Sequence, residues 1–125
     1  MTANYVELHQ HINDRLAQLG DELPGPMSGF ARLHKKSGET GAVDAKTKEL
    51  MALAISITVK YEGCIAFHTH DAIQAGAIRP ELLETSGVAI MMGGGPASIY
   101  AAHAMDSIEQ LLPAQVESCG EKTSL

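Results

Sequence analysis

The stretch "KELMALAISITVKYEGCIAFHTHDAIQAGA", residues 48–77, decides the fold. Its opening turns are dominated by Lys, Glu, Leu, Met and Ala, all good helix formers, whereas "ISITV" alternates as a strand would. That alternation continues a helical pattern with no turn signal before it, so the spacing predicts a buried helix, which Asp44 is placed to cap. The second half, from Tyr61 onward, reads as the next helix, ending near Gly76. With both halves helical, nothing in the chain requires a sheet.

Working outward, Tyr5, Leu8, Ile12, Leu16 and Leu19 recur at helical steps and draw one apolar stripe down a first helix, predicted to stop at Gly20. "DELPGP" reads as a rigid connector to a shorter helix over Met27 to Lys36, and "SGETGAVD" breaks the chain again. Downstream, "IRPELLETSGVAIMM" forms a fifth helix with Pro80 in its first turn, where no backbone N–H is needed, and Gly93 to Gly95 end it. Pro96 opens the last helix, whose face is Ala97, Ala101, Ala104, Met105, Ile108, Leu111 and Leu112, and Pro113 is expected to stop it. Residues 113–125 then form a polar, loose tail. The expected fold class is all-α, a compact bundle of about six helices, without internal repeats.

A chain of 125 residues suits a single domain, 1–125. Its hydrophobic share of 45% against a charged share of 19% suggests more apolar surface than a small monomer hides, and so a homo-oligomer. A net charge of −6 argues against nucleic acid and anionic lipid as partners, because both need clustered Lys and Arg. Residues 1–20 mix charges into the apolar positions and read neither as a signal peptide nor as a membrane span, which points to a cytoplasmic address. Two cysteines, Cys64 and Cys119, are too few for a disulfide scaffold, so cysteine chemistry should be redox or nucleophilic. Zinc is disfavoured, since a closed site usually takes four ligands and a helix points the rings of His68 and His70 apart. No metal or organic cofactor is expected.

At about 100° per residue, Cys64 and His68 share a helix face with Asp71 and Ala75, while His70 points elsewhere and takes a flank or interface role. The helix start near Cys64 favours a thiolate, which His68 could serve as base. The same spacing also fits Cys64 as a small buried hydrophobe and His68 as a core histidine. Glu49 has two readings as well: a buried proton relay, or an ordinary surface acid beside Lys46 and Lys48, which composition favours. "GGGP" lacks the Lys-Ser/Thr ending of a phosphate loop and reads as a helix break. His9, His11, His34 and His103 have no partner at telling spacing and read as surface residues.

The stretch over 48–77, continued by "GVAIMMGGGPASIYAAHAM", resembles the core of the carboxymuconolactone decarboxylase family in its alkylhydroperoxidase D-like branch. The family pattern of a glutamate, Cys-x-x-Cys, a histidine and trailing small residues falls on Glu49, Cys64 as the second cysteine, His68, Ala72 and Gly76. Tyr61 stands where the family has its first cysteine. The resemblance implies a thiol-dependent peroxidase acting in antioxidant defence, with Cys64 as nucleophile, His68 as base and Glu49 orienting it. Tyr61 is then a possible hydrogen-bond donor to thiolate or peroxide, or else a packing residue. Because the local disulfide of the redox members cannot form, a sulfenic acid on Cys64 needs Cys119, an external thiol or a redox partner protein to resolve it. The resemblance further implies a trimer or hexamer acting on a small hydroperoxide. It leaves two alternatives: an acid/base enzyme like the lactone decarboxylases, using Glu49 and His68, and a catalytically silent oligomeric scaffold or ligand-binding protein.

Overall fold

The computed structural model describes residues 3–123, with side chains described through Pro113. Six helices follow in order: α1 (Tyr5–Glu22), α2 (Pro24–Gly38), α3 (Ala45–Val59), α4 (Glu62–Gln74), α5 (Arg79–Gly93) and α6 (Gly95–Thr123). Among the described residues there is no strand, so "ISITV" is helical as its continuity with the preceding turns predicts. Asp44 caps α3, its carboxylate accepting from the Thr47 N–H at 2.7 Å. Gly94, at φ 72°, ends α5 in a conformation that side chains resist, which makes "GGGP" a helix break.

Three expected boundaries are corrected. The first helix does not stop at Gly20, whose φ is not positive, but runs to Glu22. Leu23 ends it, because the following Pro24 drives the preceding residue out of the α region, here to φ −134° and ψ 61°. "DELPGP" is therefore no extended connector: Pro24 and Pro26 lie in the first turn of α2, where a proline sacrifices no intrahelical bond. Finally, Pro113 does not stop the last helix, which continues to Thr123, so a tail beginning at 113 is not what the backbone shows. The prolyl φ is compatible with a helix and the missing N–H removes a single i→i−4 bond, a local cost that does not compel termination.

The core lies among α3, α4, α5 and α6, where Leu53, Ile57, Ile65, Leu82 and Ile108 are fully buried. Small residues let these helices approach: Ala66, Ala72, Ala89, Ala97 and Ala104 are buried at the same seams. Met105, expected on the inner face of α6, is 44% exposed. The helix α1 is fastened across α4 and α6 by Tyr5, which is buried and donates its hydroxyl to Glu62 Oε2 at 2.6 Å. The helix α2 buries no residue at all. No helix among the described residues is long and apolar enough to cross a membrane.

Candidate active site

The facing helices α3 and α4 bring Glu49 and His68 together across nineteen residues of sequence, with His68 Nδ1 2.9 Å from Glu49 Oε2. Only 16% of the Glu49 side chain and 21% of the His68 side chain is exposed, so Glu49 is not a surface acid. The lysines that suggested otherwise are engaged elsewhere: Lys46 pairs with Glu81 at 2.8 Å, and Lys48 donates to the Glu39 carbonyl at 2.6 Å. A carboxylate on Nδ1 holds the neutral imidazole with its proton on that nitrogen and leaves Nε2 as the basic one.

Cys64 is in the first turn of α4 and is exposed as a free thiol, which removes the reading of a buried hydrophobe. Among the described residues no hydrogen bond joins Cys64 to His68; the two share a helix face without direct contact of that kind. Tyr61 occupies the N-cap of α4 with no side-chain capping bond and is 63% exposed, so it is not packed in the core of its own chain. Cys119 lies outside the residues whose side chains are described.

Beside the dyad opens a cleft of about 300 Å³ between α2, α3 and α4. Phe30, Leu33 and Ala52 supply apolar wall, and Lys48, Glu49 and His68 supply polar groups, whereas Cys64 is not part of its described lining. An apolar cleft with a few convergent polar groups is the common form of a small-molecule site.

Several partnerships were not legible from spacing. His103 bonds through Nδ1 to Glu62 Oε1 and meets the Tyr100 ring edge-on with centroids 5.1 Å apart. His9 stacks on His70 with ring centroids 4.0 Å apart, and His70 Nδ1 lies 3.0 Å from Asp71 Oδ1. His9 and His103 are thus not free surface residues; His11 is exposed, and His34, also exposed, lies beside the Phe30 ring at the cleft. Asp71 was visible on the Cys64–His68 stripe, but His70 as the partner of His9 and Glu62 as the partner of His103 are on other helices, where no local period signals them.

The chain belongs to the carboxymuconolactone decarboxylase family, whose model matches residues 24–107. An uncharacterized protein of Cupriavidus necator is 33% identical over 111 residues, covering 89% of this chain and 98% of its own length. Among solved structures, a carboxymuconolactone decarboxylase family protein of Legionella pneumophila superposes with a TM-score of 0.82 at 40% identity, over 86% of this chain and 96% of that one. A family member of Thermotoga maritima, with a suggested involvement in antioxidative response, superposes with a TM-score of 0.75 at 28% identity, over 98% of this chain and all of that one. The placement in the alkylhydroperoxidase D-like branch is consistent with both.

Proposed function

We propose that the protein is a thiol-dependent peroxidase in which Cys64 reduces small hydroperoxides. The observation that carries this reading is the 2.9 Å Glu49–His68 pair one helical turn from an exposed free thiol. His68 Nε2 takes the Cys64 proton through water, with Glu49 stabilising the imidazolium. The thiolate attacks the terminal peroxide oxygen, the O–O bond breaks, and the leaving alkoxide takes a proton to become the alcohol, while Cys64 becomes a sulfenic acid. One external thiol then displaces water to give a mixed disulfide, and a second releases Cys64 as thiol and leaves the external disulfide. A redox partner protein could supply both thiols, and Cys119 is an alternative resolver. The cytoplasm, whose glutathione and thioredoxin pools keep thiols reduced, suits an exposed cysteine of this kind. The antioxidative involvement suggested for the Thermotoga relative points the same way.

The test is trapping of sulfenic acid on Cys64 after stoichiometric hydroperoxide, followed by peroxide consumption with a thiol reductant. Labelling at Cys64 and loss of turnover in Cys64→Ser are expected; an unlabelled Cys64 would sink the proposal.

A second reading is favoured by one observation, that the cleft holds Glu49 and His68 but not Cys64 in its described lining. Acid/base chemistry on a lactone carbon acid would need only the pair. Decarboxylation of a muconolactone-like substrate that survives Cys64→Ser and disappears in Glu49→Gln would select it. An oligomer, a trimer or hexamer, is also proposed: α2 buries nothing, while Leu33 is 63% exposed and Met91 and Met92 are 72% and 73% exposed.

A further inference from the structure

We propose that His9, His70 and Asp71 form a binding site for a divalent transition metal ion of the zinc class. The three residues each offer a ligand atom within 4.8 Å of the other two, and all are partly buried. His70 Nδ1 and Asp71 Oδ1 are 3.0 Å apart, and the His9 and His70 rings lie 4.0 Å apart at centroid with 26° between their planes. His9 comes from α1 and the other two from α4, so packing of these helices assembles the set. The expectation of no metal rested on a closed site taking four ligands and on His68 and His70 diverging; the fold gives His70 a different companion, in an open set of three.

The donor set selects the ion. Two imidazoles and one carboxylate match borderline divalent ions, whereas calcium and magnesium take shells of oxygen ligands. Metal–ligand bonds of about 2.0–2.2 Å put neighbouring ligand atoms roughly 3–4 Å apart, so closure from the present spacing asks for about 1 Å of movement. The stacked rings must also turn for their lone pairs to converge, and histidine χ2 is a broad torsion that permits it. Three protein ligands leave at least one coordination position for water or an external ligand.

Asp71 is also within 4.8 Å of ligand atoms on Glu49 and His68, which makes that trio the competing location. It is the weaker one for an ion of the zinc class, with two carboxylates to one imidazole. The zinc proposal does not depend on the peroxidase reading.

The experiment is calorimetric titration of the full, chelator-stripped chain with Zn²⁺ at neutral pH, paired with Co²⁺ substitution read by visible absorption. Saturable binding of one ion per chain is expected. His9→Ala, His70→Ala and Asp71→Asn should each weaken it at least about tenfold and alter the Co²⁺ ligand-field bands, while His68→Ala and His11→Ala leave both unchanged. Circular dichroism on each variant guards against misfolding, and His9→Gln, which keeps volume and polarity, replaces His9→Ala if the latter unfolds. The proposal is overturned by absence of saturable binding, by affinity indifferent to the His9 substitutions, or by loss in His68→Ala with His9 variants still binding.

Discussion

Tyr61 stands at the N-cap of α4 and Cys64 in the following turn, both exposed to solvent. A helix start is where two cysteines at this spacing close a disulfide, for which Cα atoms must lie about 4.4–6.8 Å apart. Tyr61→Cys is therefore expected to form an intrachain disulfide with Cys64 under peroxide, seen by mass spectrometry without reductant, and to raise peroxide turnover with a dithiol. A disulfide without gain in turnover would separate a sound backbone from an inactive site. Tyr5 offers a second residue-scale test. Burial first, then its hydrogen bond to Glu62, raise the Tyr5 phenol well above its ordinary value. A raised folded pKa contributes stability that is complete below the unfolded pKa of about 10 and is lost as pH climbs towards the folded value. Tyr5→Phe should cost about 1–3 kcal/mol at neutral pH, the worth of a hydrogen bond to a charged acceptor. In denaturant titrations it should also flatten the alkaline decline; an unchanged decline above pH about 10 would show that another group is responsible.

At the scale of the helix, the ends of α3 carry the testable physics. Lys60 closes α3 in the left-handed region at φ 68° and ψ 45°, a conformation that costs a side-chain-bearing residue about 1–2 kcal/mol. Glycine avoids that strain but loses more backbone entropy on folding, so Lys60→Gly should stabilise by a net of roughly 0.5–1 kcal/mol, read as a higher denaturation midpoint. At the other end, hydrogen bonding from the Thr47 backbone N–H, and then from its side chain, holds the Asp44 carboxyl below the usual range. A depressed folded pKa contributes stability present above the unfolded value of about 3.9 and lost as pH falls through the folded one. Asp44→Ala should lower the thermal midpoint at neutral pH, and the difference from wild type should vanish in acid; a difference that persists there would place its origin outside the carboxylate. Caps of this kind are readable from sequence because the capping side chain and the N–H it serves are three residues apart. The start of α2 is not readable in this way: two prolines can mean a rigid connector or a first helical turn, and only the packing of Pro24–Gly38 against α1 and α3 distinguishes them.

For the molecule as a whole, the apolar side chains that the bundle does not use are the strongest pointer to assembly. Ile55 is 61% exposed, Leu33 63%, Met91 72% and Met92 73%, while the buried core among the described residues is divided evenly between alanine and Leu or Ile, with Tyr5 added. Light scattering at micromolar concentration is expected to give a multiple of the 13.2 kDa chain mass, and Met91→Glu combined with Met92→Glu to reduce it. A monodisperse species at the chain mass for the unsubstituted protein would refute assembly.

What the sequence by itself determined is what depends on near neighbours: the six helices, the capping role of Asp44, the helical reading of "ISITV", and the face shared by Cys64 and His68. Periodicity and capping act within a few residues, so one strand of text contains them. The tertiary structure alone removed the surface-acid reading of Glu49, because burial and the 2.9 Å bond to His68 come from the seam between α3 and α4. It likewise joined His9 to His70 and His103 to Glu62, contacts between helices far apart in the chain. A histidine's partner is chosen by where its helix packs, and that choice is made by the apolar seams of the whole bundle rather than by the residues beside it.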